Sequence, residues 1–126
     1  MKPTQEVFER LRAVLAKSLD VEETEISIES RLFEDFKIES VEVLDLTFRI
    51  EQEFGFTMVE GEFWNIAELI ANGGLFKNGF SNEAISLIKE NFSMSDDVIK
   101  SLTSPFDIYK HITIGDLVNY IAKKIS

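Results

Sequence analysis

The sequence has no cysteine and only one histidine, His111. Without thiols, disulfide frameworks, thiolate nucleophiles and cysteine–zinc centres are excluded, and one imidazole cannot form a multi-histidine metal site. No apolar run approaches the length of a membrane span. The start, Met1-Lys2-Pro3-Thr4-Gln5-Glu6, turns charged and amphipathic at once and lacks the apolar centre of a signal peptide. A soluble, cytoplasmic protein is expected. Strand-period alternation, internal repeats and low-complexity tracts are also missing. Basic residues are few: 13 against 23 acidic ones, for a formal net charge of −10. Such a surface repels nucleic-acid phosphates and anionic lipid heads. It either serves solubility alone or speeds encounter with proteins that carry basic patches.

What is present is helical. With 126 residues and 44% apolar content, one compact domain is expected. From Thr4 to about Leu19, the residues Val7, Phe8, Leu11, Val14, Leu15 and Leu19 make one apolar stripe, with Thr4 as a candidate N-cap. Residues 20 to 39 read as a long loop with isolated anchors, Val21, Ile26, Ile28, Leu32, Phe33 and Phe36. A loop of that length in a compact domain is usually functional. Ser40 to about Phe54 reads as a second helix. Val41, Leu44 and Phe48 follow one line of its wheel and Val43, Leu46, Ile50 and Phe54 an adjacent one; both lines are expected in the core. Glu42, Asp45, Arg49, Glu51, Gln52 and Glu53 are left for the outside, and Gly55 suits a left-handed C-terminal cap. Near the end, Thr113-Ile114-Gly115-Asp116 forms a capping-box pattern for a last helix, with Ile114, Leu117, Val118, Ile121 and Ile125 on its apolar face.

Between these blocks, three short helices are expected. One lies around Phe63–Ile70 and is broken by Asn72-Gly73-Gly74. One runs from Ser81 to Phe92, and one runs from Ser95 to Leu102 and stops before Ser104-Pro105. Asp96-Asp97 suits a helix start and lacks the pattern of a calcium loop. The predicted fold class is all-α, a helical bundle with a long first loop.

The stretch Leu32-Phe33-Glu34-Asp35-Phe36-Lys37-Ile38-Glu39-Ser40-Val41-Glu42-Val43-Leu44-Asp45-Leu46 resembles the attachment site of acyl carrier proteins. Glu34-Asp35-Phe36 is similar to the Glu-Asp-Leu of that family's loop, and Ser40 falls at its modified serine. Val43-Leu44-Asp45-Leu46, Glu51-Gln52-Glu53-Phe54 and Thr113–Ile121 are similar to the segments that follow. The usual Gly-Ala is Lys37-Ile38 here, and a lysine tolerates poorly the backbone angles that glycine permits.

The resemblance implies a single acyl-carrier-like domain over residues 1–126, with a helical insertion at approximately 60–109. That insertion, with Phe63, Trp64, Phe76, Phe80, Phe92 and Phe106, is expected to fold onto the bundle. It would enlarge an acyl cavity, offer a docking surface, or serve as a structural cap.

The resemblance further implies that Ser40 carries covalent 4′-phosphopantetheine added by a phosphopantetheinyl transferase. The protein itself would be no enzyme, hold no metal and act as a monomer. Glu39, Glu42, Asp45, Glu51 and Glu53 would meet basic patches on acyl-transferring or synthase enzymes of fatty acid, lipid or polyketide metabolism; otherwise they are a solvated face. Val43, Leu46, Ile50 and Phe54 would line the acyl-chain pocket as well as the core. Two alternatives stand beside this: an aminoacyl (D-alanyl or peptidyl) carrier, and an acidic interaction module in which Ser40 is only an N-cap contributing about 1 kcal/mol.

Overall fold

The computed structural model describes residues 3–59 and 62–126, Pro3 without its side chain. Met1, Lys2 and the expected start of the insertion at residue 60 lie outside that range. The described helices are α1 (Pro3–Leu19), α2 (Leu32–Phe36), α3 (Ser40–Phe54), α4 (Ile66–Asn72), α5 (Asn82–Asn91), α6 (Asp96–Ser101) and α7 (Ile114–Ile125). Two 3-10 turns, Glu23–Glu25 and Pro105–Lys110, join them. Among the described residues the chain is all-α; extended pairing is limited to the isolated bridges Arg31–Thr113 and Phe76–Phe80. The chain divides into two compact units, Met1–Met58 with Thr113–Ser126, and Val59–Ile112.

In the first unit, α1 packs against α3 and α7. The expected stripe supplies its contact face: Val7, Leu11 and Leu15 are buried, and Phe8, Val14 and Leu19 are half-buried. Thr4 is not the cap, because helical geometry already begins at Pro3, where a fixed φ and a missing N–H cost least. Beside that stripe, Arg10 also reaches α3. Its Nε donates to Glu53 Oε2 at 2.9 Å, its Nη2 donates to the Glu53 carbonyl at 2.6 Å, and the guanidinium lies 4.5 Å from the Phe54 ring centroid.

The segment read as one irregular loop contains both a 3-10 turn and α2. Each is too short to show a period, so pattern alone could not reveal them. The backbone N–H of Arg31 donates to Asp35 Oδ2 at 2.7 Å, which satisfies an open donor at the start of α2. Leu32 and Ile26 are buried as expected, whereas Ile28 is 47% exposed. Ile28 instead lies against the start of α7: Gly115 N–H donates to its carbonyl, and Ile114 N–H to that of Ser30, both at 2.9 Å. A Cβ at Gly115 would fall 2.7 Å from Ile28 Cγ2, so this close approach needs glycine.

Helix α7 opens on the expected capping box. Thr113 N–H donates to Asp116 Oδ2 at 3.0 Å and Asp116 N–H donates to Thr113 Oγ1 at 3.2 Å. Ile114, Leu117, Val118 and Ile121 are buried, while Ile125 is 40% exposed at the last turn.

In the second unit, Ser81 and Ser95 cap α5 and α6 through their hydroxyls, accepting from Ala84 N–H at 3.1 Å and Val98 N–H at 3.2 Å. Asn72-Gly73-Gly74 ends α4, with Gly74 at φ 69°. Pro105 begins the second 3-10 turn, with Ser104 as its cap. That turn packs on α4. Tyr109 donates to Glu68 Oε2 at 2.5 Å and accepts from Ala67 N–H at 3.4 Å. Burial first, and then the Glu68 carboxylate, hold the phenol well above its ordinary range. Phe63 is fully buried and makes tilted or edge contacts with Phe92 and Trp64 at 5.3 and 5.1 Å.

Candidate functional site

Helix α3 determines the site. It is closed at its end by Gly55 in the left-handed conformation, φ 71° and ψ 39°, whose N–H donates to the Glu51 carbonyl at 2.9 Å. At its start the N-cap is Glu39, not Ser40. The Glu39 N–H donates to Glu42 Oε1 at 3.0 Å, the return half of a capping box in which Glu42 is the N3 residue. Ser40 is therefore the first helical residue and is exposed. Among the described residues none hydrogen-bonds its hydroxyl. The expected capping role of Ser40 is corrected by this geometry.

A hydroxyl released from capping, on the outside of a 15-residue helix at its positive end, suits a covalently attached phosphodiester. The open N–H groups and the helix dipole both favour negative charge there. Among the described residues, no base lies within hydrogen-bond distance of Ser40. No group of acidic or histidine side chains fit to hold a metal occurs among them either.

The five carboxylates expected at a docking face are placed differently from one another. Glu39 is exposed beside Ser40, and Glu42 is half-buried with one oxygen on the cap. Asp45 accepts from the Ser18 hydroxyl at 2.6 Å and from Arg49 Nε at 2.8 Å. The Ser18 bond, then Arg49, hold its carboxyl below the ordinary aspartate value. Glu51 accepts from Met58 N–H at 2.8 Å, tying the chain after α3 back to the helix. Glu53 is paired with Arg10.

The two apolar lines of α3 part company. Leu46 and Ile50 are fully buried, Phe54 is 9% exposed and Val43 is half-buried, so the residues expected at an acyl pocket stand in the core. A groove of about 670 Å³ in the same unit is lined by other residues, among them Ala13, Lys17, Val21, Arg49 and Glu53. Val41, Leu44 and Phe48 are not core. They are 75%, 73% and 61% exposed. The signal was in the wheel: at 100° per residue the two lines are centred about 150° apart, too far for one buried face. An exposed apolar row that begins beside Ser40 is the part of the site that sequence reasoning missed.

Three comparisons with known proteins bear on this arrangement. The phosphopantetheine attachment site family matches residues 9–71, a span that holds most of α1, all of α2 and α3, and most of α4. The acyl carrier protein of Petrotoga mobilis is 26% identical over 92 residues, covering 73% of this chain and 94% of that protein. The acyl carrier protein of Coprothermobacter proteolyticus is 34% identical over 62 residues, 49% of this chain and 76% of the relative. Polyketide-8 synthase acyl carrier protein 2 of Streptomyces avermitilis is 33% identical over 61 residues, 48% and 70% respectively. No solved structure matches the chain. The fold and the matched span together define a non-catalytic carrier of a phosphopantetheine arm. The chain belongs to the acyl carrier protein family.

Proposed function

We propose that Ser40 is the residue that carries the 4′-phosphopantetheine arm, and that the chain shuttles acyl groups among enzymes of fatty acid, lipid or polyketide type. The observation that carries this reading is the exposed Ser40 hydroxyl at the first position of α3, with its capping role taken by Glu39 and Glu42. The arm, when attached, supplies a terminal thiol that holds the acyl group as a thioester. The chain's own residues present and position that arm. Val41, Leu44 and Phe48 form an apolar landing strip, with Asp45 beside it and Glu39 and Glu42 at its serine end. Apolar contact gives such a surface affinity, and the carboxylates select partners with basic rims. An acyl cargo is favoured by the relatives, which are acyl carrier proteins by name.

Residues at approximately 60–109 are read as an insertion into the carrier domain, supported by the separate clustering of Val59–Ile112 while the chain on either side closes into one unit. A phosphopantetheinyl transferase is the partner this reading requires. Incubation of the full chain with coenzyme A and a broad-specificity transferase tests it. A mass gain of one arm in the parent and none in Ser40→Ala is expected; equal gain in both removes Ser40 from the role.

A further inference from the structure

Ser40 sits in a stretch of one-sided charge. From residue 32 to residue 48 the chain carries Glu34, Asp35, Glu39, Glu42 and Asp45, and Lys37 is the only cation. The flanking Arg49 is already bound to Asp45 at 2.8 Å. Glu39 precedes Ser40 as the N-cap residue of α3, and Glu42 follows it with one carboxylate oxygen on the Glu39 N–H. A phosphodiester on Ser40 adds a further negative charge to that pair, and like charges so close destabilise one another.

Lys37 is placed to offset it. It ends α2 in the left-handed conformation, at φ 51° and ψ 47°, a region that disfavours any residue with a Cβ by about 1–2 kcal/mol. Asp20 and Asn78, the other non-glycine residues with positive φ among those described, belong to the types that tolerate it better. Lysine does not, so the chain accepts strain here for a side chain. That side chain is exposed, and no ion pair or hydrogen bond engages it among the described residues. Three residues of backbone span at most about 10 Å, and the lysine stem is four carbons long with a freely turning ammonium. A lysine stem and a serine-linked phosphate together are long enough to close that distance.

We propose that Lys37 is the counter-ion of the arm's phosphodiester, neutralising it against Glu39 and Glu42 and keeping the root of the arm close to the start of α3. This rests on Ser40 being the loaded residue. Lys37 is a positioning residue and takes no part in forming or breaking a bond.

The test follows the Lys37 side-chain resonances by NMR in the full chain, before and after loading with coenzyme A and a transferase, at low salt. Intact mass is read on the same samples. On loading, the Lys37 resonances move, as a new negative charge beside the ammonium requires. The movement shrinks with added salt, and the resonances of the other lysines stay put. In Lys37→Gln the phosphorus resonance of the loaded arm moves away from its parent position, and Lys37→Arg restores it. A mass gain with unmoved Lys37 resonances and an unmoved phosphorus resonance overturns the counter-ion role and leaves Ser40 loading intact. No mass gain overturns both.

Discussion

At Ser40 two uses of one hydroxyl compete. As an N-cap it would contribute about 1 kcal/mol, and its removal would show in stability. With Glu39 at the cap and Glu42 returning to its N–H, the hydroxyl is dispensable to the apo fold. Ser40→Ala should therefore change urea-unfolding stability by less than about 0.5 kcal/mol, whereas loss near 1 kcal/mol would return the serine to the cap. The neighbouring Lys37 has the opposite character. Lys37→Gly relieves the left-handed strain at some entropic cost and should stabilise the unloaded protein by roughly 0.5–1 kcal/mol. Asp45 offers a pH test. Its bonds to Ser18 and Arg49 lower its pKa, so its contribution is present above the ordinary value of 3.8 and fades as pH falls through the lower folded value. A carboxyl titration of Asp45 should have its midpoint below 3.8, and Ser18→Ala should move it upward.

At the scale of elements, legibility follows the length of the pattern. α1, α3 and α7 each repeat their apolar positions over three turns or more, and their extents were readable from spacing. So were local signals with a fixed chemistry: Gly55 as a left-handed cap and Thr113 with Asp116. α2 was invisible because five residues hold barely one turn. The exposed row of α3 is apolar like the buried one, and only the angle between the two lines separates surface from core. Phe48→Ser and Leu44→Gln should accordingly leave stability within about 0.5 kcal/mol, since surface changes outside special features do little. They should slow modification by the transferase and transfer by acyl enzymes. If either variant unfolds the protein, the row belongs to the core after all. Gly115 shows a constraint no periodicity carries: Gly115→Ala brings a methyl to 2.7 Å from Ile28 and should cost about 1–3 kcal/mol in urea unfolding.

For the whole molecule, the acidic balance governs encounter more than fold. With a net charge of −10, association with a basic-rimmed transferase should slow steeply as salt rises, while the unfolding midpoint moves little. The relatives are shorter than this chain, since 62 aligned residues make up 76% of one of them and 49% of this protein. The extra length was visible as a region with its own aromatic residues and short helices, but its compactness as a unit comes from contacts that sequence spacing does not reveal.

On the reading proposed above, the arm is attached at Ser40 and nowhere else. Peptide mapping by mass spectrometry of the full chain, after loading with coenzyme A and a broad transferase, locates it. A single arm on the peptide that contains Ser40 is the predicted result. An unmodified Ser40 peptide, or an arm on any other serine, would contradict it.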